Sequence, residues 1–527
     1  MAVVDLELLL RPAVLAPTVA LVGLLIYQLF FTGTKLPNIP IVGAKDTDWF
    51  PAFQAKWRNT LDFKHAVRTV DARYYDTPVR LPILGVPSLI IVPRSDISWV
   101  NEQPDTVISM HAMAIENLQT EYTSPDPYLV ENPVHHHLIT TTLTNQIGNL
   151  IPDVVDEISW GFEQQWGTDQ EWSDVCVYET LIKIVSAVTN RVFVGKPLCR
   201  NPEYLKLGVA YAQSMPVTAN VLRAIWLPIR PLAALLLTLP IRRTTLAWNK
   251  LIFPEIKQRL AEWDSNQRDP EKKKGVSAEK NDFLQWSIAQ AKESGDPYMW
   301  KPATLAGRIL LINFAAIHTS SFSITSAILD LAYGKKEYID ELREEISTVL
   351  AEFGGEWNKR ALVKMIKLDS TMRESQRLNS FVTVGLMRVV VAKDGVTTRS
   401  GLKLPNGVFI AVPAYVVLND EKVYSDAAEF KPFRFADERK DESVDYIKRA
   451  GKAWATTSND YLAFGHGRNA CPGRFFAANE IKLMLAHILM NYDIEPTEEV
   501  KPASSWYSIS RVPPMKAKIR IRRRQDI

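Results

Sequence analysis

One short segment limits the possible folds of this 527-residue chain more than any other: Phe464-Gly465-His466-Gly467-Arg468-Asn469-Ala470-Cys471-Pro472-Gly473. Glycines let a backbone pass close to a flat surface without a Cβ clash. The run from Phe475 to Asn491 that follows has helical period. Cys471 therefore stands near a helix N-terminus, where the dipole favours a thiolate. A sulfur-ligated iron in a flat macrocycle needs such a loop, with backbone N–H groups within reach of the sulfur. Arg468, three residues before Cys471, can pair with an acidic group on the ring edge. The competing reading of the segment is a buried cysteine in a glycine-rich turn.

The rest of the chain is compatible with one large body behind a membrane anchor. Pro12 to Phe31 carries no formal charge, and twenty helical residues span about 30 Å, the hydrocarbon thickness of a bilayer. Residues 1–34 are read as a transmembrane anchor rather than a cleaved signal peptide, because Asp5 and Glu7 make the start acidic and the apolar run is long. Flanking charge does not fix its orientation. Leu36 to Gly43 holds two prolines and reads as a stiff spacer. No biased linker divides the remainder, so residues 35–527 are expected to form one catalytic domain, mainly α with minor sheet near Val389–Ala392 and Val408–Val412. The charged stretch 264–280 reads as a solvated loop. Ile225 to Ile241 is apolar but broken by prolines; it is expected to be either a patch dipping into the bilayer interface or a buried helix pair. Ile309 to Leu329 is also uncharged, yet its Asn, His, Ser and Thr residues suit a helix buried in a soluble core. The near balance of 62 basic and 59 acidic residues argues against a nucleic-acid partner. Three widely spaced cysteines, Cys176, Cys199 and Cys471, make neither a disulfide framework nor a Cys-rich zinc site.

The Cys471 segment resembles the signature of the cytochrome P-450 family, F-x-x-G-x-R-x-C-x-G, at Phe464, Gly467, Arg468, Cys471 and Gly473. Glu374-Ser375-Gln376-Arg377 resembles the family's E-x-x-R, with Glu374 and Arg377 on one helical face. Phe430 to Phe435 resembles the P-E-R-F block, and its Arg434 would complete a Glu-Arg-Arg cluster serving folding and haem retention. Ala315-Ala316-Ile317-His318-Thr319-Ser320 resembles A-G-x-D/E-T-T. The resemblance gives Ala316 the role of leaving room for dioxygen, and Thr319 that of hydrogen-bonding it and delivering protons. His318 stands where the family has an acid, either as a proton relay or as a core histidine. Three adjacent histidines, His135, His136 and His137, point about 100° apart and do not converge on a metal ion. They stand where the family often has W-x-x-x-R facing the haem propionates, and are candidate substitutes. Arg388 is a further candidate propionate partner.

The resemblance implies the cytochrome P-450 fold, a large helical domain with small β-sheets, plus the N-terminal transmembrane helix. It implies haem b (iron protoporphyrin IX) with Cys471 as the axial ligand of the iron. It also implies a monooxygenase that takes O2, a hydrophobic small molecule and electrons from NADPH-cytochrome P-450 reductase. The blocks Arg191 to Cys199 and Val512-Pro513-Pro514 look most like fungal members, many of which act on terpenoids and other secondary metabolites. A single-pass protein of the endoplasmic reticulum with a cytosolic catalytic domain follows. Ser109–Thr123, Phe381–Val389 and Ser505–Arg511 are expected to line the pocket. Two rivals stay open: a same-fold enzyme that rearranges or dehydrates without net oxygenation, and a haem electron carrier or sensor. A membrane transporter would need several spans, and only one is convincing.

Overall fold

The computed structural model describes residues 36–86, 89–268 and 280–525. The anchor read over Pro12–Phe31 and most of the charged stretch 264–280 lie outside the described residues. Eight long helices organise the body: α1 Thr144–Trp166, α2 Val177–Phe193, α3 Pro202–Ala224, α4 Leu239–Arg268, α5 Pro302–Ala332, α6 Lys336–Glu352, α7 Ile366–Asn379 and α8 Arg474–Asn491.

Helix α5 is the axis. Pro302 at its first turn costs no hydrogen bond there, and the helix packs against α2, α3, α4, α7 and α8. It is the one helix among the described residues long and apolar enough to cross a membrane, yet over half of its most apolar stretch is buried inside the protein. Several of its polar groups are paired internally. Asn313 and Asn190 of α2 exchange hydrogen bonds at 2.7 and 3.2 Å, and Ser321 donates to the Ile317 carbonyl at 2.7 Å. The expected core helix is thus the observed one. Around it Phe162, Val185, Trp248, Leu310, Ile328 and Leu485 belong to one continuous apolar core.

The largest sheet among the described residues is a five-stranded unit ordered Val79–Arg80, Leu89–Ile91, Phe409–Val412, Gly385–Val390 and Ile108–Ser109. Leu89–Ile91 pairs parallel to Phe409–Val412, and the other pairings are antiparallel. The strand signalled by Val389–Ala392 begins earlier, at Gly385, because its pairing with Phe409–Val412 reaches back to that residue. Ile225–Ile241 forms a 3-10 turn and the helix Arg230–Leu237, with Leu227, Leu232 and Leu236 about two-thirds exposed. It is a surface patch, not a buried pair.

Helix α7 has no side-chain cap of its own. Glu345 of α6 supplies one, accepting from the Lys367 and Leu368 N–H groups at 2.7 and 2.9 Å. Further along α7, Asp369 meets Lys482 of α8 at 2.7 Å and Arg439 at 3.2 Å, and accepts from the Trp454 N–H at 2.8 Å. Burial pushes its carboxyl up, but Lys482, the Trp454 N–H and Arg439 together more than reverse this. Asp369→Ala strands a buried lysine, and breaking a buried pair from one side costs about 3–5 kcal/mol. Denaturant unfolding should register that loss; a change below about 1 kcal/mol would show that the cluster does not join α7 to α8.

Candidate active site

The loop before α8 is held by its own backbone. The Cys471 N–H donates to the Phe464 carbonyl at 2.8 Å, the Ala470 N–H to Gly467 at 3.1 Å, and the Gly465 N–H to Leu462 at 2.9 Å. Gly465 and Gly467 sit at φ +68° and +71°, where a side chain is strained. A Cβ on Gly467 would also come within 3.1 Å of Asn101 Oδ1. Of the three cysteines only Cys471 is exposed. Cys199 is fully buried, and burial pushes its thiol up to about 12. Surrounding protein raises the Cys471 thiol too, but the Gly473 and Arg474 N–H groups at the start of α8 and the Arg474 charge pull it back. These are donors aimed at a sulfur that carries charge.

Arg388 lies on the strand Gly385–Val390 and is only 4% exposed. Its Nη1 donates to the Met387 carbonyl at 2.9 Å. Among the described residues no carboxylate comes within ion-pair distance. Burial lowers its pKa to about 10, with Asp105 opposing and Arg468 adding to the fall. Arg468 is exposed and bonded to the Gln103 carbonyl. A buried guanidinium beside a second guanidinium, with no acid to neutralise it, suits an anion. Haem b brings an iron for a thiolate and two propionates for such cations, so the donor set fits it. Cys471 would hold the iron, Arg388 and Arg468 the propionates, while Phe464, Gly467 and Gly473 shape the loop.

Of the three histidines, His136 and His137 are exposed, and only His135 turns inward. Its Nδ1 is enclosed without a hydrogen-bond partner, and burial, then Arg308, lower its pKa to about 4. Among the described residues no group of three ligating side chains gathers for a separate metal ion.

Behind the loop, Glu374 and Arg377 are both fully buried. Arg377 Nε and Nη2 grip the Glu374 carboxylate at 2.8 and 2.9 Å, and Arg434 Nε reaches it at 3.0 Å. Phe433, where the family often has an acid, packs on Tyr338 and under the Lys367 ammonium. The sequence reading missed two neighbours on α7. Gln376 accepts from Trp454 Nε1 and from the Tyr461 hydroxyl, and Arg373 lies 3.7 Å over the Tyr461 ring. They hold the chain that leads into the Cys471 loop, and as ordinary polar residues they gave no signal.

On α5, Ala315 is exposed and Ala316 and Thr319 are partly so. Thr319 Oγ1 donates to the Ala315 carbonyl at 2.8 Å. His318 turns instead toward α2, where Nδ1 lies 2.8 Å from the Tyr178 hydroxyl. Burial lowers its pKa to about 4, so it is neutral near pH 7. The structure does not bring His318 to the face that carries Thr319. It does join the three segments expected to line the pocket. Ile108–Ser109 pairs with Val389–Val390, Val382 bridges Ser510, and the Arg511 N–H donates to the Phe381 carbonyl.

Two outcomes follow for the loaded protein. Cys471→Ala should abolish the red-shifted Soret band of the reduced, carbon-monoxide-bound form; survival of that band would sink the ligand assignment. Arg388→Leu should speed haem transfer to apomyoglobin by about tenfold, one charge-assisted hydrogen bond being worth ~1.5 kcal/mol or more. The same change should stabilise the haem-free protein, since it removes an unneutralised buried charge.

The family model described as Cytochrome P450 matches residues 131–519. "Cytochrome P450 monooxygenase 71" of Postia placenta is 36% identical over 446 residues, covering 83% of this chain and 84% of that protein. "Cytochrome P450 monooxygenase gloP" of Glarea lozoyensis is 31% identical over 85% of this chain and 84% of its own length. "Cytochrome P450 monooxygenase pbrC" of Penicillium brasilianum is 28% identical over 97% and 96%. A glycine-bounded cysteine at a helix N-terminus, an uncompensated arginine beside it and relatives aligned along nearly the whole length lead to one conclusion: the chain belongs to the cytochrome P-450 family, the haem b monooxygenases that use O2, a redox partner and a small-molecule substrate.

Proposed function

We propose that the chain is a membrane-anchored monooxygenase that hydroxylates or otherwise oxidises an apolar small molecule, a fungal terpenoid or related secondary metabolite, with two electrons from NADPH through NADPH-cytochrome P-450 reductase. The observation that carries this reading is Cys471 at the N-terminus of α8 beside the Arg388–Arg468 pair. Haem, when bound, supplies the oxygen chemistry. The chain's own residues do the rest. The Gly473 and Arg474 N–H groups tune the sulfur. Ala316 keeps the face of α5 uncrowded, and the Thr319 hydroxyl delivers protons there. His318, neutral and bonded to Tyr178, positions α5 against α2. The fungal origin of the relatives supports the substrate class.

A cytosolic catalytic domain, residues 35–527, lying on the endoplasmic reticulum behind a single-pass anchor of residues 1–34 belongs to the same proposal. Leu232 and Leu236 are 69% and 71% exposed, and Trp49 and Leu61, at the helix Pro51–Leu61, 89% and 83%. The two patches lie near one another: Asn59 holds the Pro82 carbonyl, and the Gly85 turn is so close to α3 that a Cβ there would meet the Arg223 side chain at 3.5 Å. Large apolar side chains exposed in this way suit a lipid surface.

Reconstitution with the reductase, NADPH and isotopically labelled dioxygen, fed a panel of terpenoids, should give product carrying one labelled oxygen. Product formed without reductant or dioxygen would instead make this a rearranging or dehydrating member of the fold. Removing residues 1–34 should release much of the protein from membranes with haem still bound. Leu232→Glu with Leu236→Glu in that shortened chain should weaken the remaining vesicle binding by about tenfold or more, given ~1.5–3 kcal/mol per buried leucine. Unchanged binding would place the lipid contact elsewhere.

A further inference from the structure

We propose that Leu386 is a positioning residue for Arg388, acting through a left-handed turn of the backbone inside the strand Gly385–Val390. This rests on the reading of Arg388 as a partner of the haem propionates. The pairing of that strand with Phe409–Val412 is uneven. Gly385 stands opposite Val412 and Arg388 opposite Ile410, so three steps on one strand face two on the other. One residue is surplus, and between those two pairs Leu386 is left-handed, at φ +50°. A bulge with a left-handed residue ordinarily places glycine there, because a Cβ is strained in that conformation. Packing marks the same residue as the surplus one. Leu386 belongs to the apolar cluster of Ile410 and Val412, whereas Met387 belongs with Ala411 to the cluster on the other side.

The surplus residue decides which face Arg388 takes. Side chains alternate along a strand, so a slip of one residue reverses all that follow. Counted from Gly385 without a bulge, Met387 would stand opposite Ile410 and Arg388 opposite Phe409. Phe409 belongs to the cluster of Phe63, Val67, Leu89 and Ile91. A guanidinium there would be buried among side chains that cannot bond it. With the bulge, Arg388 stands opposite Ile410, on the face of Trp99, Val100 and Leu462. The Leu462 carbonyl accepts from the Gly465 N–H, so this is the face toward the Cys471 loop. The bulge also holds the guanidinium directly: the Met387 carbonyl, beside the left-handed residue, accepts from Arg388 Nη1 at 2.9 Å.

Neither end of the strand is free to absorb the surplus. Beyond the bulge, the Val390 N–H donates to the Val408 carbonyl at 2.9 Å and the Gly407 N–H to the Val390 carbonyl at 2.8 Å. Ile108–Ser109 pairs with Val389 and Val390 from the other side. Before the bulge, the Tyr415 N–H donates to the Thr383 carbonyl at 2.9 Å, and a Cβ on Gly385 would come within 3.0 Å of the Ala414 Cβ. The mismatch is therefore confined to Leu386 and Met387. A leucine adds an anchor that glycine lacks, its side chain being only 6% exposed in the cluster of Val390, Ile410 and Val412.

Two ways of acting predict opposite orders of effect. Were Leu386 only apolar filling, Leu386→Gly would harm the site more than Leu386→Val, which keeps most of the side chain. Positioning reverses the order, since glycine takes φ +50° freely and a β-branched residue does not. The test is haem transfer from the ferric holoenzyme to apomyoglobin, with the ferric–ferrous midpoint potential as a second reading. Leu386→Val should release haem about tenfold faster than wild type, the effect expected of Arg388→Leu. Its potential should fall as that of Arg388→Leu does, because a cation beside the propionates favours the added electron. Leu386→Gly should release haem more slowly than Leu386→Val and keep a potential closer to that of the wild type. In an Arg388→Leu background the two should release haem at one rate, because Leu386 acts through Arg388. Should Leu386→Val fail to take up haem, Leu386→Ala takes its place: it lacks the leucine packing as Leu386→Gly does, and resists the left-handed turn. Leu386→Gly releasing haem as fast as Leu386→Val, or as Leu386→Ala in its place, overturns the positioning role, and so does a difference between them that persists without Arg388. Arg388→Leu releasing haem at the wild-type rate overturns the propionate reading beneath it.

Discussion

The position of the sulfur is inherited from one buried ion cluster. Glu374 and Arg377 are wholly withdrawn from water, a placement that is sustained only when every donor and acceptor is paired. Here the pairing is complete: two bonds from Arg377, one from Arg434, and the surplus positive charge spread onto the Leu418, Ser425 and Asp426 carbonyls. The cluster therefore fixes residues 418–434 against α7. The same turn of α7 carries Arg373 and Gln376, which grip the chain around Trp454 and Tyr461 before it enters the Cys471 loop. Two bidentate side chains behind the site thus govern the geometry in front of it.

What could be read from the sequence follows from what is local in the chain. The Cys471 loop, the Glu374–Arg377 pair and the buried character of α5 are set by spacing, glycine chemistry and polarity within a few residues, and all three stand in the structure as read. The strand at Gly385 was legible only at its end, because its beginning is defined by a partner, Val412, 27 residues away in sequence. The cap on α7 was invisible for the same reason, since Glu345 belongs to another helix. Glu480 of α8, buried against α2 and α5, gave no signal at all. A single glutamate in an apolar helix reads as its solvated face, and only the packing of α1, α2 and α5 around it reveals that α8 has no such face there.

The histidines teach the same lesson about charge. Three of them, His135, His318 and His487, are pushed to about 4 by burial, so none carries charge near neutral pH. A side chain chosen for its titration in water has been made into a neutral, polar packing element. Conversely, the Glu480 carboxyl, which would be ionised in water, has been raised to about 7, the range where histidine usually works. Burial has exchanged the two residue types' titration ranges around α5.

The frame formed by Ile108–Ser109, Gly385–Val390 and the Ser505–Val512 hairpin has a bearing on how such a protein diversifies. Each piece is registered on another through backbone bonds, so an insertion or deletion in one dislocates its neighbours. Side chains, by contrast, can be exchanged without disturbing the register. Descendants of this chain are therefore free to change what they accept by point replacement while loop lengths stay fixed, and new chemistry in this lineage arrives as altered lining on a conserved scaffold outline.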